Sequence, residues 1–223
     1  ALGELRTVGE RRIARQTERG GISLHLPNQE VVQRDGGYDV VFEAPLRIEQ
    51  WNEQISLLTG MVAAELMLDA GTGLLRTLPR PPDFVVRALA RCARGLGVDW
   101  PRKTGDYASI LAGLDPAQPT HAALITQSAR LFRGAGYVGF AGERPDLTEQ
   151  AAIGAPYAHV TAPLRRLGDR FANELVLAAF GGRPPAGWAV EALGLLPEAL
   201  EDGARRQSTL DRACVDFTEA MIL

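Results

Sequence analysis

The chain has 223 residues, 46% hydrophobic and 23% charged, with 24 basic against 27 acidic side chains and a formal net charge of -3. That length supports a hydrophobic core without disulfides, and that balance excludes a collagenous, mucin-like or wholly disordered chain and a uniformly basic nucleic-acid coat. No apolar run reaches the roughly 20 residues that cross a bilayer, and the charged opening ALGELRTVGERR is no secretory signal, so a soluble cytoplasmic protein without a membrane partner is expected.

In chain order, Leu2, Leu5, Val8 and Ile13 are spaced among charges and predict a helix over 2–18, ended by Gly20 and Gly21. Apolar runs at Ile22 to Leu26, Val31 to Val32 and Tyr38 to Phe42, with Asp35-Gly36-Gly37 as the last turn, predict a small antiparallel meander. Residues 47–70 keep Ile55, Leu58, Val62, Leu66 and Leu68 at helical spacing with little polar surface, which predicts a helix buried on most sides. Dense glycine and proline from Gly71 to Pro82 then break the chain before a helix that Asp83 can cap and that stops at 95–97. A short helix over 106–114 and another from Pro119 or Thr120 to about Arg133 follow. GYVGFAG reads as a short strand and 143–156 as a polar loop. Helices are expected from about Pro163 to Phe180, over 190–196 and over 197–222, with GGRPPAG as a linker. The fold class predicted is α+β, helix-rich, with the small meander near the N-terminus.

Cys92 and Cys214 have neither zinc-site nor disulfide-framework spacing and are expected to be buried free thiols. Lys103 is the only lysine among the 24 basic residues. Genomic composition accounts for such a bias, and a local arginine-lined groove is compatible with the negative total because placement sets the field.

The densest polar constellation is Tyr157-Ala158-His159-Val160-Thr161-Ala162-Pro163-Leu164-Arg165-Arg166-Leu167-Gly168-Asp169. With Pro163 in the opening turn of the next helix, Arg165 and Arg166 fall at the positive end of the macrodipole, where a bound anion would offset the cost of like charge. The competing structural reading pairs Asp169 with Arg165 at i+4 or with Arg166 at i+3. His25 and His121 have no ligand-spaced partners and receive no role.

This stretch resembles the Y-A-H-F-T-S-P-I-R-R-Y-x-D signature of the RNB catalytic domain, found in the ribonuclease II and ribonuclease R family of exoribonucleases. It departs at Ala162, where serine is usual, and at Leu167, where tyrosine is usual. The 51–64 helix resembles the family's V-E-E-x-M-x-x-A-N helix, with Glu53 at the second glutamate and Asn52 and Thr59 as departures. The stretch 136–140 resembles the segment before the signature, and 204–223 resembles the closing A-E-R-D-V-x-D-W helix with Asp211 in place of glutamate. The resemblance implies that the chain is the C-terminal part of a single RNB domain, with an upstream aspartate-bearing half and flanking oligonucleotide-binding barrels lying outside it. It implies hydrolysis of single-stranded RNA in the 3′-to-5′ direction. Arg165 is then the catalytic arginine, and Tyr157, His159, Thr161, Arg166, Asn52, Glu53 and Asp211 are RNA-binding candidates; for His159 a satisfied packing role is the alternative. Leu24 stands where the family stacks an aromatic. The family's magnesium is held by clustered aspartates, whereas this chain has no D-x-D pair, so no metal ligands are assigned and the isolated chain is expected to be inactive. Ala162 and Asn52 support a second expectation, a catalytically degenerate RNA-binding or regulatory module. An unrelated helical interaction protein is the third.

Overall fold

The computed structural model describes residues 2–22, 28–34, 36–43, 46–100, 107–116 and 118–222. Helix α1 (Leu2–Glu18) runs as its spacing requires, and Gly20 leaves it with φ at 79°. Of the expected meander, a two-stranded antiparallel hairpin is described, β1 (Asn28–Arg34) and β2 (Gly37–Glu43), with Arg34 opposite Gly37 and Gly36 at φ 103°. Residues 23–27, including Leu24 and His25, lie outside the described residues, as does Asp35. Ile22 starts no described strand; it is buried, and its N–H donates to the Ala152 carbonyl at 2.7 Å.

Helix α2 (Arg47–Asp69) begins where the Glu49 carboxylate accepts the Leu46 N–H at 2.7 Å. Its buried face is not the one predicted. Ile55 and Val62 are exposed, while Gln54, Gly60, Ala63, Ala64 and Met67 are buried. The reason is close approach: the stretch holding Tyr157 and Ala158 lies against α2 at Gly60, whose carbonyl accepts the Ala158 N–H at 3.0 Å, and only small side chains admit a backbone there. Strand β3 (Thr72–Thr77), which glycine-rich punctuation hid in the sequence, pairs antiparallel with β4 (Gly136–Ala141).

Between those strands lie α3 (Asp83–Gly95), α4 (Tyr107–Ala112) and α5 (Pro119–Ser128), the last continued by a 3-10 turn over 129–132. Pro82, not Asp83, occupies the cap position of α3, and Asp83 instead lies 3.8 Å from Arg87. Asp106, the expected start of α4, lies outside the described residues. The supposed polar loop contains a third antiparallel pair, β5 (Glu149–Gln150) and β6 (Ala155–Pro156). Helices α6 (Leu167–Phe180), α7 (Gly187–Ala192) and α8 (Leu196–Ile222) complete a helix-rich α+β fold.

Two apolar clusters hold it together. The first joins Ala63, Ala64 and Met67 of α2 to Leu74 and Leu75 of β3, Phe140 of β4, Ala158, Val160, and Ala172 and Leu175 of α6. The second gathers Val86, Leu89 and Ala93 of α3 with Leu111, Leu124, Leu131 and Ile22. Both cysteines are free, but neither is fully buried: Cys92 is half-buried and Cys214 is exposed on α8, correcting the expectation of two buried thiols. Among the described residues no helix is long and apolar enough to cross a membrane.

Because a methyl group at position 60 would collide with the Tyr157 ring and the Ala158 carbonyl oxygen, Gly60→Ala is expected to destabilise the fold by about 1–3 kcal/mol. Urea unfolding checks this: an unchanged midpoint would show that the approach at Gly60 is not limiting.

Candidate nucleic-acid site

The signature segment leaves β6 as extended chain. Tyr157, Ala158 and Val160 are buried, His159 between them is half-buried, and Thr161 after them is exposed. The Arg76 N–H donates to the Tyr157 carbonyl at 2.8 Å, and the Asn173 side-chain amide donates to the Val160 carbonyl at 3.1 Å. Those bonds fix the segment between β3 and α6.

Helix α6 starts at Leu167, with Arg166 in extended conformation at the cap, and the residues 163–165 form a turn. Both arginines therefore precede the helix, correcting the expectation that they lie in its first turn. Asp169, fully buried in the first turn, explains the late start. Its Oδ2 accepts the Ala162 N–H at 2.7 Å and two bonds from Arg166, from Nε at 3.2 Å and Nη2 at 3.0 Å. Reaching back seven residues, the carboxylate holds the chain out of the helix and supplies the negative charge that a helix N-terminus favours. The structure thus decides between the two pairings: Arg166 is the partner of Asp169, and Arg166 Nη2 also reaches Thr161 Oγ1 at 3.4 Å. Arg165 is exposed on the turn, with no hydrogen bond or ion pair from its side chain to any described residue. The other carboxylate oxygen, Asp169 Oδ1, is buried without a protein donor.

His159 is enclosed by aromatic rings. Tyr137 of β4 lies at 5.8 Å between centroids with an interplanar angle of 64°, and Tyr157 at 5.5 Å with 89°. The Tyr137 hydroxyl is 2.8 Å from His159 Nδ1. Burial, and then the positive charges of Arg166 and Arg76, push the imidazole pKa down to about 4, so the ring is neutral at physiological pH. In the tautomer protonated at Nε2, the Tyr137 hydroxyl donates to Nδ1 and leaves Nε2–H as a donor. Burial raises the pKa of both tyrosines, which keeps their hydroxyls protonated.

Of the sequence-predicted residues, the fold brings Tyr157, His159, Thr161, Arg165 and Arg166 together. The Glu53 charge on α2 reaches Tyr157, and Asn52 is its exposed neighbour. Asp211 is not brought in: it lies in a groove on exposed α8 with Gln207, Arg212 and Asp216, without a bond to the cluster. Sequence reasoning missed Arg76 and Tyr137, which face one another across β3 and β4. The available signal was a single charge inside the apolar stretch Gly73-Leu74-Leu75-Arg76-Thr77-Leu78. A separate apolar cavity of about 600 Å³ lies against α3, between Pro79–Pro82 and Leu131; it includes none of the signature residues and no acid or histidine.

Two outcomes are expected. Asp169→Ala should cost about 3 kcal/mol, because it strands a half-buried guanidinium and an N–H, and thermal unfolding checks it; a loss below about 1 kcal/mol would mean that the carboxylate is not organising the turn. Since native His159 resists protonation relative to an unfolded histidine of pKa about 6.5, its contribution to stability is full above that value and is lost as the pH falls toward 4, by about 2–3 kcal/mol. Comparing unfolding of the parent and His159→Gln at pH 4.5 and 7 tests the sign: the pH-dependent loss should shrink in the variant.

No protein-family model matches the chain, and no curated protein sequence matches it. Among solved structures, it is similar to Mycoplasma genitalium RNase R in complex with ribose-methylated single-stranded RNA, with a TM-score of 0.84 and 18% identity over 100% of this chain and 36% of that one. Yeast Ssd1, described as a pseudonuclease, superposes with a TM-score of 0.68 at 16% identity over 89% of this chain and 25% of that one. An active-site mutant of the Dss1 exoribonuclease from Candida glabrata gives 0.52 at 14% identity over 82% and 22%. The chain spans little more than a third of the RNase R it matches. Along its whole length, it has the fold of the corresponding part of RNase R.

Proposed function

We propose that this chain is part of an RNB-family exoribonuclease that degrades single-stranded RNA from the 3′ end, and that Arg165 is its catalytic residue in this segment. The observation that carries the reading is Arg165 itself: an exposed guanidinium without a carboxylate partner among the described residues, on a turn fixed by a buried aspartate, beside a neutral imidazole and two tyrosine rings. The likeness to RNase R bound to single-stranded RNA supports it. So does the signature at Tyr157–Asp169.

In this reading a strand end lies along the exposed side of the signature segment. Arg165 places its forked donors on the scissile phosphate, where charge grows on the equatorial oxygens in the transition state, and a preorganised donor stabilises that charge more than the ground state. Arg166, one side held by Asp169, contributes charge without being free to follow the substrate. His159 and Thr161 offer neutral hydrogen-bonding groups to ribose hydroxyls, the feature that separates RNA from DNA. Tyr157 supports the imidazole from within the core, while Asn52 and Glu53 flank the same region on α2. An RNA contact at Asp211 rests on the sequence resemblance alone.

Hydrolysis of phosphodiesters by this family uses magnesium. The donors here do not fit such a centre: among the described residues no group of three His, Cys, Asp or Glu side chains could hold a metal ion. We therefore assign the ion to aspartates of a larger RNB domain outside these residues and derive no step through it.

In a protein carrying this segment with that metal-bearing part, Arg165→Ala should lower hydrolysis of a 5′-labelled oligoadenylate about a hundredfold or more, with RNA affinity held within about threefold. An unchanged rate would remove Arg165 from the chemistry. The likeness to Ssd1, together with Ala162 and Asn52, favours a second reading, an RNA-binding module without activity. Tight RNA binding by the parent protein with no hydrolysis in magnesium would select it.

A further inference from the structure

Arg76 is a charge in a buried strand. Its neighbours Gly73, Leu74, Leu75 and Thr77 are buried, and Arg76 is half-buried. Directly across the ladder stands Tyr137, and the Arg76 guanidinium carbon lies 4.7 Å from the centre of that ring. Such stacking holds the face of a guanidinium and leaves the N–H donors, which lie in its plane, uncommitted. The Arg76 side chain makes no hydrogen bond or ion pair with any described residue, and none of its nitrogens is sealed in the interior without a partner.

The charges acting on His159 are three guanidinium groups, Arg166, Arg76 and Arg165, against one carboxylate, Asp169, whose Oδ2 is already engaged by Arg166. With Glu53, whose charge reaches the adjoining Tyr157, the three guanidinium groups outnumber the carboxylates by one around a neutral imidazole. A phosphodiester backbone carries the matching sign. Tyr137 serves both halves of the arrangement, its ring beneath Arg76 and its hydroxyl on His159.

We propose that Arg76 is a second phosphate-binding residue of the site, held by Tyr137 so that it meets a backbone phosphate of the same RNA strand that Arg165 engages. This rests on the RNA-degrading reading above and adds a contact that the signature does not contain. A stacked guanidinium is already ordered, so little conformational freedom remains to be lost on binding. A phosphate is favoured over a carboxylate-bearing peptide because the positive groups lie alongside neutral hydrogen-bonding groups suited to ribose, His159 and Thr161.

The experiment measures binding of this chain to a fluorescein-labelled oligouridylate by anisotropy over a series of salt concentrations. Losing one phosphate contact should reduce the slope of log K against log salt by about 0.7 for a single strand, so Arg76→Gln is expected to show that reduction, whereas Arg76→Lys keeps the slope with weaker affinity. An unchanged slope in Arg76→Gln overturns the proposal while leaving the RNA reading intact. Failure of the parent chain to bind the oligonucleotide counts instead against the RNA reading. A second measurement needs no folded variant: the Arg76 Nε–Hε resonance of the labelled parent protein is followed during titration with tripolyphosphate. Its movement supports an anion site at Arg76, and movement of Arg165 alone overturns it.

Discussion

The carboxylate of Asp169 sits at zero exposure beneath the turn that carries Arg165, and the rest of the site depends on what it binds. One oxygen collects the Ala162 N–H and the Nε and Nη2 donors of Arg166, so the backbone from Thr161 to Arg166 cannot join the helix behind it. A buried ion pair of this kind adds little net stability, since desolvating both charges offsets their attraction. Its contribution is specificity of shape: one arginine is committed inward and its neighbour is left outside.

Around that anchor, the protein builds a wall of neutral donors and positive charge. Gly60 lets α2 approach the Tyr157 stretch closely enough for a backbone hydrogen bond, and the β3–β4 ladder places Arg76 and Tyr137 on the other side. His159, caught between two tyrosines, is kept uncharged by desolvation and by the cations near it. A protonated imidazole would merely add another positive charge. A neutral one can sort ribose from deoxyribose by hydrogen bonding, a task that a charged groove performs poorly.

The comparison with RNase R and Ssd1 sets the same architecture beside an enzyme and beside a protein described as a pseudonuclease. Fold does not separate the two outcomes, because chemistry resides in a few side chains grafted on it. In this chain the arginine position of the signature is kept while Ala162 departs from it and Asn52 departs from the pattern of the 51–64 helix, and no group of three His, Cys, Asp or Glu side chains that could hold a metal ion occurs among the described residues.

Local pattern determined much. Glycine at 20 and 36, helical spacing over 2–18 and 83–95, and the polar signature from Tyr157 to Asp169 are properties of neighbouring residues, so helices, the hairpin turn and the candidate site were legible without coordinates. The buried face of α2 was not, since Ile55 and Val62 carry the stronger apolar signal yet close packing selects Gly60, Ala63 and Ala64. Strand β3 was likewise decided by a partner distant in sequence, β4, and the start of α6 by the buried Asp169 of its own first turn, which binds back to the Ala162 N–H. Which arginine Asp169 takes, and that Arg76 stands over Tyr137, follow only from tertiary packing: spacing permits several pairings, and burial in a low-dielectric interior leaves one.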